Sequence, residues 1–232
     1  MDSQGLPLLV FALILVVAAI TYFLSIKAAQ ARTRAMQDLA QQVGFSFSAE
    51  GPSQRRSYEI EMALFQQGGS RKSKNIMVGR WNGLEVKVFD YSFVTGSGKS
   101  SHTWDQTIAA FTIKAGFPVF ELRPEGIFDR IADAFVHKDI DFDSHLAFSR
   151  RYLLRGAIEK AVREMFSPAL LTYCEELPAD LKWHVEGCDD TLIFYQSDKS
   201  VDPEEIRNFL DTTSSMAKNF LSCSGLKTTS IS

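Results

Sequence analysis

The sequence is poor in cysteine and has no surplus of positive charge. Three cysteines, Cys174, Cys188 and Cys223, stand at unrelated spacings. An odd number without a repeated spacing argues against a disulfide framework and against a zinc motif. Reduced thiols suit a cytoplasmic setting. The formal net charge of -3 gives no general attraction to nucleic acid, so we expect no nucleic-acid partner.

Recognisable catalytic motifs are also missing. No G-x-S-x-G elbow and no H-E-x-x-H zinc motif occurs. Residues 95–100 (TGSGKS) resemble the end of a phosphate-binding P-loop, but Phe93 stands where that motif requires its first glycine. We predict a hairpin tip there, whose glycines supply positive φ. These absences favour a non-enzymatic protein without a cofactor.

Only one long apolar run is present, Leu6 to Ile26, and it carries no charge. As a helix it reaches about 31 Å at roughly 1.5 Å of rise per residue, which matches a hydrocarbon core about 30 Å thick. The run therefore predicts a transmembrane helix. A cleaved signal peptide is the alternative, and the small-x-small pattern at residues 29–31 leaves it open. A signal peptide usually starts with positive charge, however, and residues 1–5 contain Asp2 and no Lys or Arg.

The charges that flank this run predict its orientation. Lys27, Arg32 and Arg34 follow the span, and positive flanks stay on the cytoplasmic side of a membrane. We expect a single-pass protein with its N-terminus outside and its C-terminal domain in the cytoplasm. The lipid bilayer is then its first partner, through Leu6 to Ile26.

The rest of the chain divides into a short helix and one folded domain. Met36, Leu39, Ala40 and Val43 form a helical stripe, and Gly44 stands where a C-cap glycine belongs. We predict a short N-terminal tail at 1–5, a transmembrane helix at 6–26, a juxtamembrane helix at 27–44 that continues the anchor, an α+β domain at 45–221 with sub-blocks 45–136 and 137–221, and a disordered tail at 222–232.

The first sub-block reads as a loop followed by a meander. Residues 48–57 are predicted to be a loop, and Asn82-Gly83 between two apolar runs predicts a hairpin. Pro124 is predicted to open a short amphipathic helix carrying Ile127, Phe128, Ile131 and Phe135. The four predicted strands cover 75–81, 84–94, 103–114 and 117–123.

The second sub-block mixes strands and helices. Ser167-Pro168 predicts a capped helix with Cys174 in the core, and Asp202 to Glu205 predict a capping box that opens the last helix. Alternation along 181–186 predicts a half-buried strand with His184 on the solvent-exposed face. The remaining elements are a strand at 148–155, a helix at 158–165, a turn at 187–190 and a strand at 192–195. The predicted fold class is α+β: an N-terminal transmembrane helix followed by a cytoplasmic domain of antiparallel strands packed by amphipathic helices.

One stretch carries candidate metal ligands. In an extended chain, the side chains of alternate residues project from one face. The candidate ligands in this row are His137, Asp139, Asp141, Asp143 and His145. The row spans roughly 26 Å at ~3.3 Å per residue, so at most two adjacent members can share one ion. The alternative is a solvated edge or an irregular connection whose aspartates cap turns.

Several short motifs together carry a resemblance. They are FDYSFVTGSGKSS at 89–101, FELRPE at 120–125, DIDFD at 139–143, FSRRYLLRG at 148–156 and VEG at 185–187. With these motifs the chain resembles a group of uncharacterised bacterial single-pass membrane proteins of unknown function. The resemblance implies a bacterial inner (plasma) membrane setting, and no activity, cofactor or catalytic residue.

Two classes of function follow from the sequence. The first is a membrane-tethered, non-enzymatic binding or scaffold protein with an unknown protein partner. The alternative is a metal-dependent hydrolase or transferase that uses the acidic row around Asp141. A cleft in which one of the three aspartates meets a histidine would favour the second class, and an exposed apolar patch would favour the first.

Overall fold

The computed structural model describes residues 5–51, 58–125 and 139–226. Its first element is one unbroken helix. This helix, α1, spans Gly5–Val43 and so joins the apolar run to the predicted juxtamembrane helix. The predicted continuity is confirmed. Gly44 follows at a φ of +73°, a conformation that glycine adopts without strain and that commonly ends a helix.

Helix α1 has two differently exposed parts. From Val10 onwards it is long and hydrophobic enough to cross a membrane, and the apolar window that meets this criterion is not buried in the protein. The last three turns behave differently, because Met36, Leu39 and Ala40 pack into the domain core. The predicted stripe on this helix is therefore a docking face.

The strands form one six-stranded antiparallel sheet. Strand β4 lies at its centre: one edge pairs first with β3 and then, from Phe120 onwards, with β5, and the other edge pairs with β6. The Asn82-Gly83 turn joins β2 to β3 as predicted, and β1 adds to the far edge of β2. The strands are β1 (Ser46–Glu50), β2 (Gly69–Trp81), β3 (Leu84–Thr95), β4 (His102–Pro124), β5 (Tyr152–Gly156) and β6 (His184–Tyr195).

Helices and a short folded segment bury both faces of this sheet. One face packs against α1 and the helices that follow β4 in sequence, and the other packs against residues 58–66. Tyr58, Met62, Leu64 and Phe65 fill that second face. The helices are α2 (Tyr58–Glu61), a 3-10 turn (Ala63–Gln66), α3 (Leu146–Arg151), α4 (Glu159–Met165), α5 (Pro168–Glu176) and α6 (Ile206–Cys223). The α+β fold class, with one long N-terminal apolar helix, is confirmed.

Two predicted breaks in the sheet are wrong, for different reasons. Gly116, at a φ of +66°, produces an irregularity inside β4 and does not divide it into two strands. Gly187 lies within β6, where the sequence predicts a turn. A Cβ atom there would stand 2.2 Å from the ring of Phe120, so this glycine makes room for a cross-strand aromatic ring.

Several element boundaries also differ from prediction because of tertiary contacts. Residues 48–50 of the predicted loop belong to β1, which pairs with β2, and residues 52–57 of that loop lie outside the described residues. Residues 146–151 form a helix before β5, with Glu175 of α5 accepting a hydrogen bond from the Phe148 amide. Pro124 is the last residue of β4. The helix expected around residues 127–135 lies outside the described residues.

The ends of the last two helices partly follow prediction. Ser167 caps α5 as expected, its hydroxyl accepting from the Leu170 amide at 3.4 Å, and Cys174 is a core residue. The predicted capping box is wrong, since Asp202 makes no side-chain cap and a 3-10 turn precedes α6. Helix α6 runs to Cys223, past the predicted start of the tail, and residues 227–232 lie outside the described part.

Candidate functional site

An ion pair attaches α1 to the sheet. Arg32 donates from Nε and Nη2 to the two carboxylate oxygens of Asp90, at 2.8 and 2.7 Å. Asn75 and Thr107 also donate to this carboxylate, at 2.8 and 2.9 Å. Hydrogen bonding to Asp90 raises the pKa of Arg32 above its already high ordinary value. A half-buried, bidentate ion pair of this kind fixes the position of the helix on the sheet better than an exposed ion pair does.

Apolar packing extends this attachment along the helix. Met36 and Ala40 are fully buried, and Phe45, just after the helix, lies over Gly79 of β2. A Cβ atom at Gly79 would stand 2.2 Å from the Phe45 ring, so only glycine lets the ring sit there. The C-terminal part of α1 and the sheet therefore form one packed unit.

The predicted metal-ligating row is not an extended strand. Residues 139–142 are irregular, a turn follows at 143–144, and His145 precedes α3. Asp139 forms an ion pair with Arg155 at 2.8 Å, and the Asp141 carbonyl accepts a hydrogen bond from Arg163.

The remaining candidate ligands in the row do not share a common site either. His145 Nδ1 lies 3.5 Å from a Glu175 oxygen, whereas the side chains of Asp141 and Asp143 face solvent. His137 lies outside the described residues. Within ranges 5–51, 58–125 and 139–226, no group of three or more His, Cys, Asp or Glu side chains is arranged to hold a metal ion. The hydrolase alternative gains no support from this geometry.

A buried polar cluster that the sequence analysis missed lies on the second face of the sheet. Glu186 of β6 is completely buried, and it accepts a hydrogen bond from the Tyr195 hydroxyl at 2.7 Å. The Leu64 amide also donates to its two oxygens, at 3.1 and 3.2 Å. Glu186 pairs across the sheet with Glu121, which in turn pairs with Arg155. The carboxyl of Glu186 thus holds residues 63–66 against the sheet.

Burial and like charge govern protonation in this cluster. Burial, reinforced by the negative charge of Glu121, raises the pKa of Glu186 to about 8. Burial also raises the pKa of Glu121, against the opposing effect of Arg123. At neutral pH a proton is therefore retained on Glu186, which removes the cost of burying a second carboxylate beside the first.

The predicted exposure of His184 is wrong. Its side chain is buried and stacks on the ring of Tyr195, with centroids 4.8 Å apart. Burial lowers its pKa to about 3, so the imidazole is neutral. Neither ring nitrogen has a hydrogen-bond partner among the residues that the structure describes. The alternation along β6 is real, but residues 58–66 cover the face that the alternation assigns to solvent. The apolar run MALF at 62–65 was the available signal for this cover.

An apolar groove lies at the end of the sheet beyond the irregularity in β4. It has a volume of about 430 Å³ and forms where β4, α4 and the segment after α6 meet. Ile158 is its largest exposed apolar side chain, with 65% of its surface accessible. The lining residues are Gly116, Pro118, Val119, Ala157, Ile158, Ala161, Glu164, Gly225 and Leu226. A groove of this shape fits one or two apolar side chains of a bound segment.

Comparison with known proteins gives little further guidance. No protein-family model matches the chain, and no curated protein sequence matches it. Among solved structures, the chain is similar to the crystal structure of the mycobacterial trehalose monomycolate transport factor A, TtfA, at 15% sequence identity and a TM-score of 0.49. The match covers 77% of this chain and 92% of that chain. A likeness of this size carries no argument about function.

Proposed function

We propose that this protein is a membrane-anchored, non-enzymatic binding or scaffold protein. The observation that carries the proposal is the rigid attachment of α1. The same helix supplies an apolar stretch long enough to cross a bilayer and, about 9 Å further along at ~1.5 Å per residue, the Arg32 contact to Asp90. The domain is thereby held at a fixed distance from the membrane. A binding surface on it then has a fixed position relative to the bilayer.

The apolar groove is the binding surface in this proposal. Thr107 lies level with Arg32, and Gly116 lies nine residues further along β4, roughly 30 Å at ~3.3 Å per residue. The groove therefore lies at the end of the sheet that is distant from the membrane in this proposal. The buried cluster around Glu186 is closed to solvent and serves the fold, so the groove is the better candidate for contact with a protein partner.

The binding proposal can be tested in cells by site-specific photocrosslinking. We expect a photoreactive residue at Ile158 to capture a defined partner, and Ile158→Asp to abolish its co-purification with the detergent-extracted full chain. Leu146→Asp is the matched control, because Leu146 is an apolar residue on α3 outside the groove and has a similar exposure, with 56% of its surface accessible against 65% for Ile158. Equal loss in both variants, or capture from position 146 but not 158, would argue against the groove.

We further propose a single pass through a bacterial inner membrane, with the N-terminus outside and the domain in the cytoplasm. The support is the position of Lys27, Arg32 and Arg34 after the span. A C-terminal alkaline phosphatase fusion is expected to be inactive and a C-terminal green fluorescent fusion to be bright. Phosphatase activity without fluorescence would reverse the orientation.

A further inference from the structure

One end of the sheet points towards the membrane. Glu50, Lys74, Asp90 and Thr107 lie opposite one another in a row across β1 to β4, and Arg32 contacts this row. Strand β1 starts just after the end of α1 and runs in the opposite direction until it reaches this row at Glu50. The strands therefore lie roughly along the axis of the helix. Residues of β2, β3 and β4 beyond the row therefore extend past Arg32 towards the apolar stretch.

The β3–β4 hairpin is long enough to reach the lipid surface. From Asp90 to Thr95 the strand advances about 17 Å at ~3.3 Å per residue. From Arg32 back to Ile26 the helix covers only about 9 Å at ~1.5 Å per residue. The hairpin tip therefore reaches the level of the headgroups even where the strand is inclined to the helix.

Two segments at this end, the start of β2 and the β3–β4 turn, have a composition that suits headgroup contact. Residues 68–72 (GGSRK) and 95–101 (TGSGKSS) contain Arg71, Lys72 and Lys99, no acidic residue and no large apolar side chain. Two acidic residues, Asp105 and Asp198, lie at the same end of the sheet. The carboxylate of Asp198 lies 3.1 Å from His102 Nε2 and accepts a hydrogen bond from the Asp105 amide at 3.2 Å. Lys72 and Lys99 are exposed.

We propose that these two segments, 68–72 and 95–101, form a contact surface for anionic phospholipid headgroups. The exposed ammonium groups of Lys72 and Lys99 match the negative charge of such a surface, whereas Arg71 donates to the carbonyl oxygens of Gln66 and Gln67. The lack of large apolar side chains confines the contact to the headgroup layer. The anchor supplies attachment, and the two segments then orient the domain by holding a second point of the sheet on the bilayer. The inference rests on the proposed crossing of the membrane by α1.

The test uses the full chain in lipid nanodiscs, with a fluorescent probe on Ser97→Cys and with Cys223→Ser to remove the one cysteine that is not buried. Quenching of the probe by acrylamide, a neutral solute, is measured in phosphatidylcholine discs with and without phosphatidylglycerol. We expect anionic lipid to reduce quenching about twofold, and high salt to restore it. The variant Lys72→Glu with Lys99→Glu should lose this protection. The control Lys114→Glu with Lys218→Glu, exposed positions on β4 and α6, should keep it.

Equal quenching in neutral and anionic discs would overturn the proposal, as would equal loss of protection in the control pair. Protection in native membranes but not in anionic discs would also overturn it, in favour of a protein partner at the tip. Elution of the unlabelled protein with the discs is measured separately. Failure to co-elute would disprove the anchor, whereas co-elution without protection would disprove only the headgroup contact.

Discussion

Replacing Glu186 with alanine is expected to lower the free energy of unfolding by about 3 to 5 kcal/mol. The change leaves the Leu64 amide and the Tyr195 hydroxyl buried without their acceptor, and each unsatisfied group costs about 1–3 kcal/mol. It also creates a cavity in a closed interior. Chemical denaturation of the detergent-extracted chain, followed by tryptophan fluorescence, measures the effect.

A conservative variant and a control at another position check this assignment. Glu186→Gln keeps an acceptor oxygen, so we expect it to lose less stability than Glu186→Ala. Glu176→Ala, at an exposed position on α5, should change stability little. A Glu186→Ala protein as stable as the Glu176→Ala control would show that the carboxyl does not hold residues 63–66.

The same cluster predicts a distinctive dependence of stability on pH. The pKa of Glu186 is raised from 4.5 to about 8, so its contribution is fully present below about pH 4.5 and is lost as the pH rises through 8. The pKa of His184 is lowered from 6.5 to about 3, so its contribution is present above about pH 6.5 and is lost as the pH falls through 3. Between about pH 4.5 and 6.5 the contribution of Glu186 to stability falls with rising pH while that of His184 rises, so the two nearly cancel.

We therefore expect a stability plateau between about pH 4.5 and 6.5, with losses on both sides at up to ~1.4 kcal/mol per pH unit. Glu186→Gln should flatten the alkaline side. His184→Phe should flatten the acid side and raise stability, because it removes two unpaired nitrogens and keeps the stack on Tyr195. If Glu186→Gln left the loss of stability at alkaline pH unchanged, that loss would have to come from other titrating groups.

Removing the C-terminal part of α1 is expected to prevent the domain from folding. A chain that begins at Ala28 keeps the whole docking face, whereas one that begins at Gly44 loses Met36, Leu39 and Ala40 and the partner of Asp90. Loss of a buried Met or Leu costs about 2–5 kcal/mol each, and a whole domain has only about 5–15 kcal/mol of stability. The shorter chain should therefore aggregate or melt far below the longer one.

The comparison is made by expressing the two chains that lack the apolar stretch and measuring their aggregation and thermal unfolding. Met36→Asp in the longer chain is the corresponding point variant and should resemble the truncation. Asp38→Ala is its control, because Asp38 is exposed on the opposite side of the helix. Equal melting temperatures for the chains beginning at Ala28 and Gly44 would show that the docked helix adds nothing to the fold.

The sequence by itself determined the features that depend on local pattern. The length and hydrophobicity of the run to Ile26 decide that it can cross a membrane, and the stripe from Met36 to Val43 decides which face of α1 docks. Asn82-Gly83 fixes the β2–β3 hairpin because both residues tolerate the positive φ values that its turn requires. Ser167-Pro168 likewise fixes the start of α5.

Only the tertiary structure decided which polar side chains meet. Arg32 and Asp90 are 58 residues apart, and Leu64 and Glu186 are 122 residues apart, so no local pattern joins them. The burial of His184 follows from a segment that packs on the sheet from far earlier in the chain. Gly187 was predicted as a turn because local sequence cannot show that a ring from a neighbouring strand occupies the space of its missing side chain. Alternation shows that a strand has two faces, but only packing determines how many of them are covered.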